Sequence, residues 1–154
     1  MFCWGSNEFG QLGLGFRVQC QSCYKPLTPV IDDTAVVVTG PTSSYTCSLS
    51  NHGKMHCWGY NRFGQIGDNS TTDRYSATIP LHMGSRVLQI SVGGDHTCSL
   101  VTSSTAAVGT RSLRVLDGSL ALDLHPYCWG KNTDGQLGVR DFSKHLSATR
   151  VFGL

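Results

Sequence analysis

Seven cysteines and six histidines are the side chains of this 154-residue chain most able to do chemistry. Cys20 and Cys23 form a CxxC pair. A structural zinc needs four ligands, usually two such pairs, and the sequence holds no second one. No βαβ pattern surrounds the pair as a redox motif would require. A further disulfide or two surface thiols is the reading that fits. His52 and His56 stand at the i, i+4 spacing that binds zinc on a helix, but Gly53 follows where a metalloprotease places Glu, and the segment reads as a hairpin. His96 reads as a turn or inter-strand hydrogen-bonding residue. No nucleophile elbow, P-loop lysine or dinucleotide fingerprint occurs, and the Gly-Gln-Leu-Gly phrases precede no helical pattern that could cradle phosphate. The expectation is no catalytic residue, no metal and no cofactor.

The remaining five cysteines lie in phrases that repeat. CWGSNEFGQLG begins at Cys3, CWGYNRFGQIG at Cys57 and CWGKNTDGQLG at Cys128. YTCSL spans Tyr45–Leu49, and HTCSL spans His96–Leu100. Internal repetition marks structural units. An apolar, β-branched stretch precedes each TCSL, at Ala35–Gly40 and Arg86–Gly94, and both stretches read as strands. A unit therefore runs CWGxN, GQLG, polar loop, Pro-containing extended segment, apolar strand, TCSL strand. The predicted units are 1–56, 57–127 and an incomplete 128–154. Ser76-Ala77-Thr78 recurs as Ser147-Ala148-Thr149 in step with the CWG phrases, which places an insertion of about 20 residues within 99–127, inside the second hairpin. A long loop on one face and non-native translated sequence both fit that insertion.

The elements fix where these residues meet. Asn51-His52-Gly53 tolerates the positive φ of a tight turn. Folding about His52 sets Cys47 opposite Cys57, where facing Cβ atoms lie about 4.5–5.5 Å apart; the upper part of that range exceeds disulfide geometry. The expected bridge is Cys47–Cys57, with Cys98–Cys128 as its counterpart and Cys3 unpaired. Buried free thiols fit the same spacing, and both readings stay open. Trp58 falls on the face opposite Cys57 because side chains alternate along a strand. Trp4, Trp58 and Trp129 occupy the same place in every phrase and are predicted to anchor neighbouring units. Gly10 and Gly13, Gly64 and Gly67, and Gly135 and Gly138 each bracket an apolar residue that would plug into a core. With Gly5, Gly59 and Gly130 they complete the structural positions of the repeat, supplying backbone shapes closed to other residues.

Taken together, these residues resemble the regulator of chromosome condensation repeat family. The phrase WGxNxxGQLG at Trp4–Gly13 and Trp58–Gly67, its looser copy at Trp129–Gly138, and GGxHTCSL at Gly93–Leu100 carry the likeness. It covers most of the chain except Cys20–Lys25 and the insertion. It implies an all-β fold, an incomplete β-propeller of about two to three four-stranded antiparallel blades in an open ring. Three blades do not close such a ring, so the resemblance predicts a fragment of a longer propeller, or self-association that covers the open blade faces.

The resemblance also implies a non-catalytic scaffold with a protein partner. Its alternative is a guanine-nucleotide exchange factor or regulator of a small GTPase such as Ran, acting in the full-length protein. A light-sensing relative of the plant ultraviolet-B receptor would need dense interface tryptophans, and this chain has three, all in the repeat phrase. Contacts are expected in the loops Phe16–Lys25, Asp68–Ser76 and Thr102–Leu124, with Tyr24, Arg74 and Tyr75 as protein-binding anchors. The net charge of +2, with 14% charged residues, gives no basic surface for nucleic acid. No apolar run of about 18 residues exists to suggest a membrane span. Paired cysteines favour an oxidising compartment, yet Met1 is followed by no basic-then-apolar leader, so the compartment stays open. Asn69-Ser70-Thr71 is a glycosylation sequon with meaning only in a secretory pathway.

Overall fold

The computed structural model describes residues 3–17, 33–83, 86–102, 113–116, 119–122 and 124–152. Cys20, Cys23, Tyr24 and most of the insertion fall outside them. Two four-stranded antiparallel sheets make up the described fold. In the first, β1 (Thr34–Val38), β2 (Tyr45–Ser50), β3 (Met55–Gly59) and β4 (Arg74–Thr78) lie side by side in chain order. In the second, β5 (Val87–Val92), β6 (His96–Thr102), β9 (Leu124–Gly130) and β10 (His145–Arg150) follow the same meander. A two-stranded hairpin, β7 (Leu113–Leu116) and β8 (Ser119–Leu122), stands between β6 and β9 in the chain.

The registers of the two sheets coincide. Cys47 faces Cys57, Thr46 faces Trp58 and Tyr45 faces Gly59. In the same way Cys98 faces Cys128, Thr97 faces Trp129 and His96 faces Gly130. The first hairpin closes just beyond Leu49↔Met55, where Gly53 takes φ +77° and its N–H donates to the Ser50 carbonyl at 3.0 Å. The second ladder runs two pairs further, through Val101↔His125 to Thr102↔Leu124, before the insertion begins. The extra residues are therefore accommodated at one end of β6 and β9, and the shared register of the sheet is untouched. The CWG phrase forms the third strand of each sheet, and a fourth strand follows its loop. Repeating phrase and blade are out of phase: residues 57–127 hold the last two strands of one sheet and the first two of the next.

Burial records which faces are covered. Tyr45 through Leu49 on β2 are buried without interruption, so both faces of that strand are covered. On β6, Thr97, Ser99 and Val101 are buried while the residues between them are half-exposed, the alternation of a strand covered on one face. The core runs through the joint between the sheets and includes Tyr45, Cys47, Met55, Ile66, Val87, Ile90, Val101 and Trp129.

Candidate interaction surface

Three loops of one design leave the ends of the CWG strands and form one rim. Each begins with a buried asparagine, Asn7, Asn61 or Asn132, fully excluded from solvent. Its side-chain Oδ1 accepts from the backbone N–H five residues on: Leu12 at 3.0 Å, Ile66 at 2.9 Å and Leu137 at 3.0 Å. The glutamine of each phrase turns back, and its Oε1 accepts from the N–H of Phe9, Phe63 or Asp134. Two turns complete the loop, closed by Gly10, Gly64 and Gly135 N–H on the asparagine carbonyls and by Gly13, Gly67 and Gly138 N–H on the first glycine's carbonyl. The nine glycines of the phrase, including Gly5, Gly59 and Gly130, all adopt positive φ, from +67° at Gly138 to +110° at Gly59. That region is costly for residues with a Cβ. Leu12, Ile66 and Leu137 are buried as the apolar plugs.

The loops also join one blade to the next. The carbonyl of Gln11 accepts two bonds from the first blade, from Trp58 Nε1 at 2.9 Å and Thr46 Oγ1 at 2.9 Å. The carbonyl of Gln65 accepts the same pair from the second blade, Trp129 Nε1 at 2.9 Å and Thr97 Oγ1 at 2.8 Å. A Cβ on Gly67 would stand 2.6 Å from Trp129 Nε1, so the indole packs directly on that backbone. Gly15 N–H donates to the Tyr75 carbonyl at 2.8 Å, and Asn69 N–H to the Leu146 carbonyl at 2.9 Å, stitching each loop to the fourth strand of the next blade. Phe9 meets Tyr60 edge-on at 4.9 Å, and at the matching place the Lys131 ammonium lies 5.6 Å from the Phe63 ring centre. Trp58 and Trp129 are fully buried in these joints, whereas Trp4 is 63% exposed.

The structure places the other singled-out residues as follows. The sulfurs of Cys47 and Cys57 lie at bonding distance, as do those of Cys98 and Cys128, and Cys3 is unbonded. Burial, partly offset by the nearby amino terminus, pushes the Cys3 thiol above its ordinary pKa. Arg74 donates Nε–H to Asp68 and keeps 39% of its side chain exposed. Tyr75 packs against Gly10, where an added Cβ would come within 2.4 Å of its ring. Burial opposes the Asp68 charge, but bonds from Ser70, Arg74 and Asn61 outweigh it and hold the carboxyl below its usual range. His96 stacks on Gly93, and burial lowers its pKa against the pull of Asp95. His56 is lowered by burial first and by Lys54 second. No group of three or more potential metal ligands occurs among the described residues, and no helix in them is long and apolar enough to cross a membrane.

Two aromatics on this rim point outward. Phe16, beyond the first loop, is 52% exposed and Phe142, beyond the third, is 73% exposed. Arg62, in the second loop, and Arg140, two residues before Phe142, are also exposed. The sequence did not single out the asparagines, although WGxN carries one in every copy. In the sequence Phe16 stands out only as the first residue of an expected contact loop, and nothing marks Phe142.

Known proteins share the repeat and the fold. The family model of the regulator of chromosome condensation (RCC1) repeat matches residues 1–40 and 52–100, more than half of the chain. The "Probable E3 ubiquitin-protein ligase HERC4" of Rattus norvegicus is 30% identical over 156 residues, which is 100% of this chain and 13% of that protein. The ultraviolet-B receptor UVR8 of Arabidopsis thaliana is 24% identical over 159 residues, 99% of this chain and 31% of the receptor. Among solved structures, Prp20p of Saccharomyces cerevisiae, a protein with binding properties toward Gsp1p and histones, superposes with a TM-score of 0.63 at 16% identity. That superposition covers 97% of this chain and 33% of Prp20p. The chain thus spans a third or less of each of these proteins.

Proposed function

The chain belongs to the regulator of chromosome condensation (RCC1) repeat family, and we propose that it is a non-catalytic scaffold that binds protein through its loop rim. The observation that supports this most is the exposure of Phe16 and Phe142 directly after loops that Asn7 and Asn132 hold by internal hydrogen bonds. Asn7 Nδ2 holds the Phe16 carbonyl at 2.9 Å and Asn132 Nδ2 the Asp141 carbonyl at 2.7 Å, so the backbone at each aromatic is already ordered before binding. Aromatic and arginine side chains are also the commonest interface anchors. Arg74 and Tyr75 open the strand β4 and belong to the proposed surface, Arg74 through the exposed part of its side chain. Prp20p binds Gsp1p and histones, which supports protein as the partner class.

The test is a photo-crosslinking residue placed at position 16, 142 or, on the opposite rim, 54. Adducts with a cellular protein confined to 16 and 142, and lost when Arg74 and Tyr75 are replaced by alanine, are the expected result. Equal labelling from position 54, or none from the loop rim, refutes it. The second reading, nucleotide exchange on a small GTPase, is favoured by the likeness to Prp20p. It is separated by nucleotide release from Gsp1p: the scaffold reading expects the unassisted rate, and acceleration by this chain supports exchange.

A further inference from the structure

We propose that Asn69 is a modification site, the acceptor of one N-linked oligosaccharide carried on the middle of the three rim loops. The chain has five asparagines, and Asn69-Ser70-Thr71 is the one Asn-X-Ser/Thr sequence among them. The inference concerns covalent chemistry at a single side chain, so it stands whatever protein the rim binds.

The five asparagines divide by what their amides do. Asn7, Asn61 and Asn132 are excluded from solvent and use both ends of the amide inside their loops. Asn51 donates Nδ2–H to Asp33 Oδ1 at 3.0 Å. Asn69 is exposed, and its amide bonds to no protein group among the described residues. Its main chain is held all the same, because the Asn69 N–H donates to the Leu146 carbonyl at 2.9 Å. A fixed backbone with an idle amide open to solvent suits an acceptor, since an oligosaccharide is bulky and is carried at the surface. The loop also separates the roles of the three residues. Ser70 serves the interior. Its Oγ–H donates to Asp68 Oδ1 at 2.8 Å, its N–H to the same oxygen at 3.2 Å, and its carbonyl accepts from Asn61 Nδ2 at 3.2 Å. Thr71, like Asn69, is exposed, and its hydroxyl bonds to no protein group among the described residues. The middle residue holds the segment, which leaves open the amide and the hydroxyl two residues on, the pair that defines the acceptor sequence.

Backbone shape accounts for only part of this choice. Asn69 takes φ +61°, and Gly15 at +85° and Arg140 at +67° occupy the same corner of the first and third loops. Asparagine tolerates that region better than most residues, yet arginine at the third corner shows that the turn does not demand it. Nor does the turn demand Thr71. The carbonyl held by the buried asparagine belongs to Ser70 in the middle loop and to Asp141 in the third, which sets Thr71 level with the exposed Phe142. The middle loop is thus polar where its neighbour presents an aromatic. A second observation points the same way. The sulfurs of Cys47 and Cys57, and of Cys98 and Cys128, lie at bonding distance. Disulfides persist in the oxidising secretory and extracellular compartments, where N-linked oligosaccharides are also added and carried.

The co-reactant is an oligosaccharide linked to a lipid diphosphate, delivered by a transferase. Asn69 Nδ2 attacks the anomeric carbon of the first sugar. A carbon–nitrogen bond forms and the carbon–oxygen bond to the diphosphate breaks. The lipid diphosphate leaves with the electron pair, and the amide proton passes to a base of the transferase. The test uses the full chain purified from the cells that make it. Peptide:N-glycosidase, which turns a sugar-bearing asparagine into aspartate, should lower the intact mass by one oligosaccharide and leave aspartate at position 69 in the peptide map. Variants are made in the same cells. Asn69→Asp and Thr71→Ala should each abolish the sugar, and Thr71→Ser should keep it. Unreduced digests of all three should still show Cys47 linked to Cys57, so that loss of the sugar is not loss of the fold. A bare Asn69 in the disulfide-bonded chain overturns the inference, as does a sugar that survives Thr71→Ala. A bare Asn69 in a chain whose four cysteines are reduced overturns it as well, and assigns the chain to a reducing compartment.

Discussion

Replacing Asn61 by alanine tests the account of the loops most sharply. Its Oδ1 accepts from the Ile66 N–H at 2.9 Å, and Ile66 is fully buried. Its Nδ2 is shared among Asp68 Oδ1 at 3.2 Å, the Ser70 carbonyl at 3.2 Å and the Thr72 carbonyl at 3.1 Å. Alanine orphans the Ile66 N–H, which costs about 1–3 kcal/mol for a buried donor without a partner. The carbonyls at Ser70 and Thr72 lie nearer solvent and can rehydrate, so their loss adds about 0.5–1.5 kcal/mol in net terms. The sum, about 1.5–4.5 kcal/mol, is a large share of the roughly 5–15 kcal/mol that holds a typical domain together. Equilibrium urea unfolding, followed by fluorescence of the buried Trp58 and Trp129, measures it. Asn61→Asp separates the two halves of the side chain. The acceptor survives, the donor is lost, and a second carboxylate arrives beside Asp68, so the loss should be intermediate and grow as pH rises. If Asn61→Ala costs under about 1 kcal/mol, water replaces the side chain freely and the loops are not held as described.

The remaining expectations follow from the same contacts. Trp129→Phe removes the bond to the Gln65 carbonyl and should cost about 1–3 kcal/mol. Trp4→Phe should fall within about 0.5 kcal/mol of the parent, as exposed substitutions do; equal losses would mean that the indoles do not report the joints. Mass spectra of an unreduced digest should show Cys47 linked to Cys57 and Cys98 to Cys128, and alkylation of those four without reduction would end that assignment. The sequence separations are 10 and 30 residues, so loop-closure entropy makes the second bond worth about 1 kcal/mol more. Stability should also fall on acidification in two stages. His96 and His56 have folded pKa values below their ordinary one. The unfolded chain therefore takes up protons first, and stability is lost as pH drops through about 6.5. Asp68, depressed in the fold, contributes stability above the ordinary carboxylate range that is lost as pH falls through about 4 and below. Melting temperatures from pH 7 to 3 check both stages, and His96→Gln should flatten the first.

The strands, their order and the facing of Cys47 with Cys57 were legible because they rest on local features: β-branched runs, a turn about His52, and alternation counted outward from it. The plugs Leu12, Ile66 and Leu137 were legible because two glycines bracket each. The role of Asn61 was not, though the letter was there in every copy. A side chain that folds back to bond its own loop leaves no periodic trace in a sequence. The joint acceptor was further out of reach, since the atom that binds Trp129 and Thr97 is the backbone carbonyl of Gln65, which any residue would supply. Trp4, Trp58 and Trp129 look alike in sequence and differ in burial because each depends on the loop that precedes it in space. At the rim, the sequence reads Asp68–Ser76 as a loop, whereas Arg74–Ser76 belong to β4, and nothing in the sequence marks the pairing of Arg74 with Asp68.

The offset between phrase and blade explains why the joints repeat so faithfully. If the repeating phrase coincided with a blade, every blade-to-blade contact would have to evolve between two separate units. Here the CWG strand, the GQLG loop and the next TCSL strand lie in one stretch of sequence, yet the structure distributes them over two blades. Trp58 reaches back to the Gln11 carbonyl while the Gln65 carbonyl, in the same phrase, reaches forward to Trp129. Each phrase thus carries both halves of the joint, donor and acceptor, and copying the phrase copies a matched pair. Because the acceptor is backbone, drift at the glutamine leaves the joint intact while its Oε1 continues to shape the loop. Change at the tryptophan, or at the glycine that the indole lies on, breaks it directly. The shape of the rim loops and the fit between blades are then set by different atoms of one short segment, so the exposed positions near Phe16 and Phe142 can change without loosening the stack beneath them.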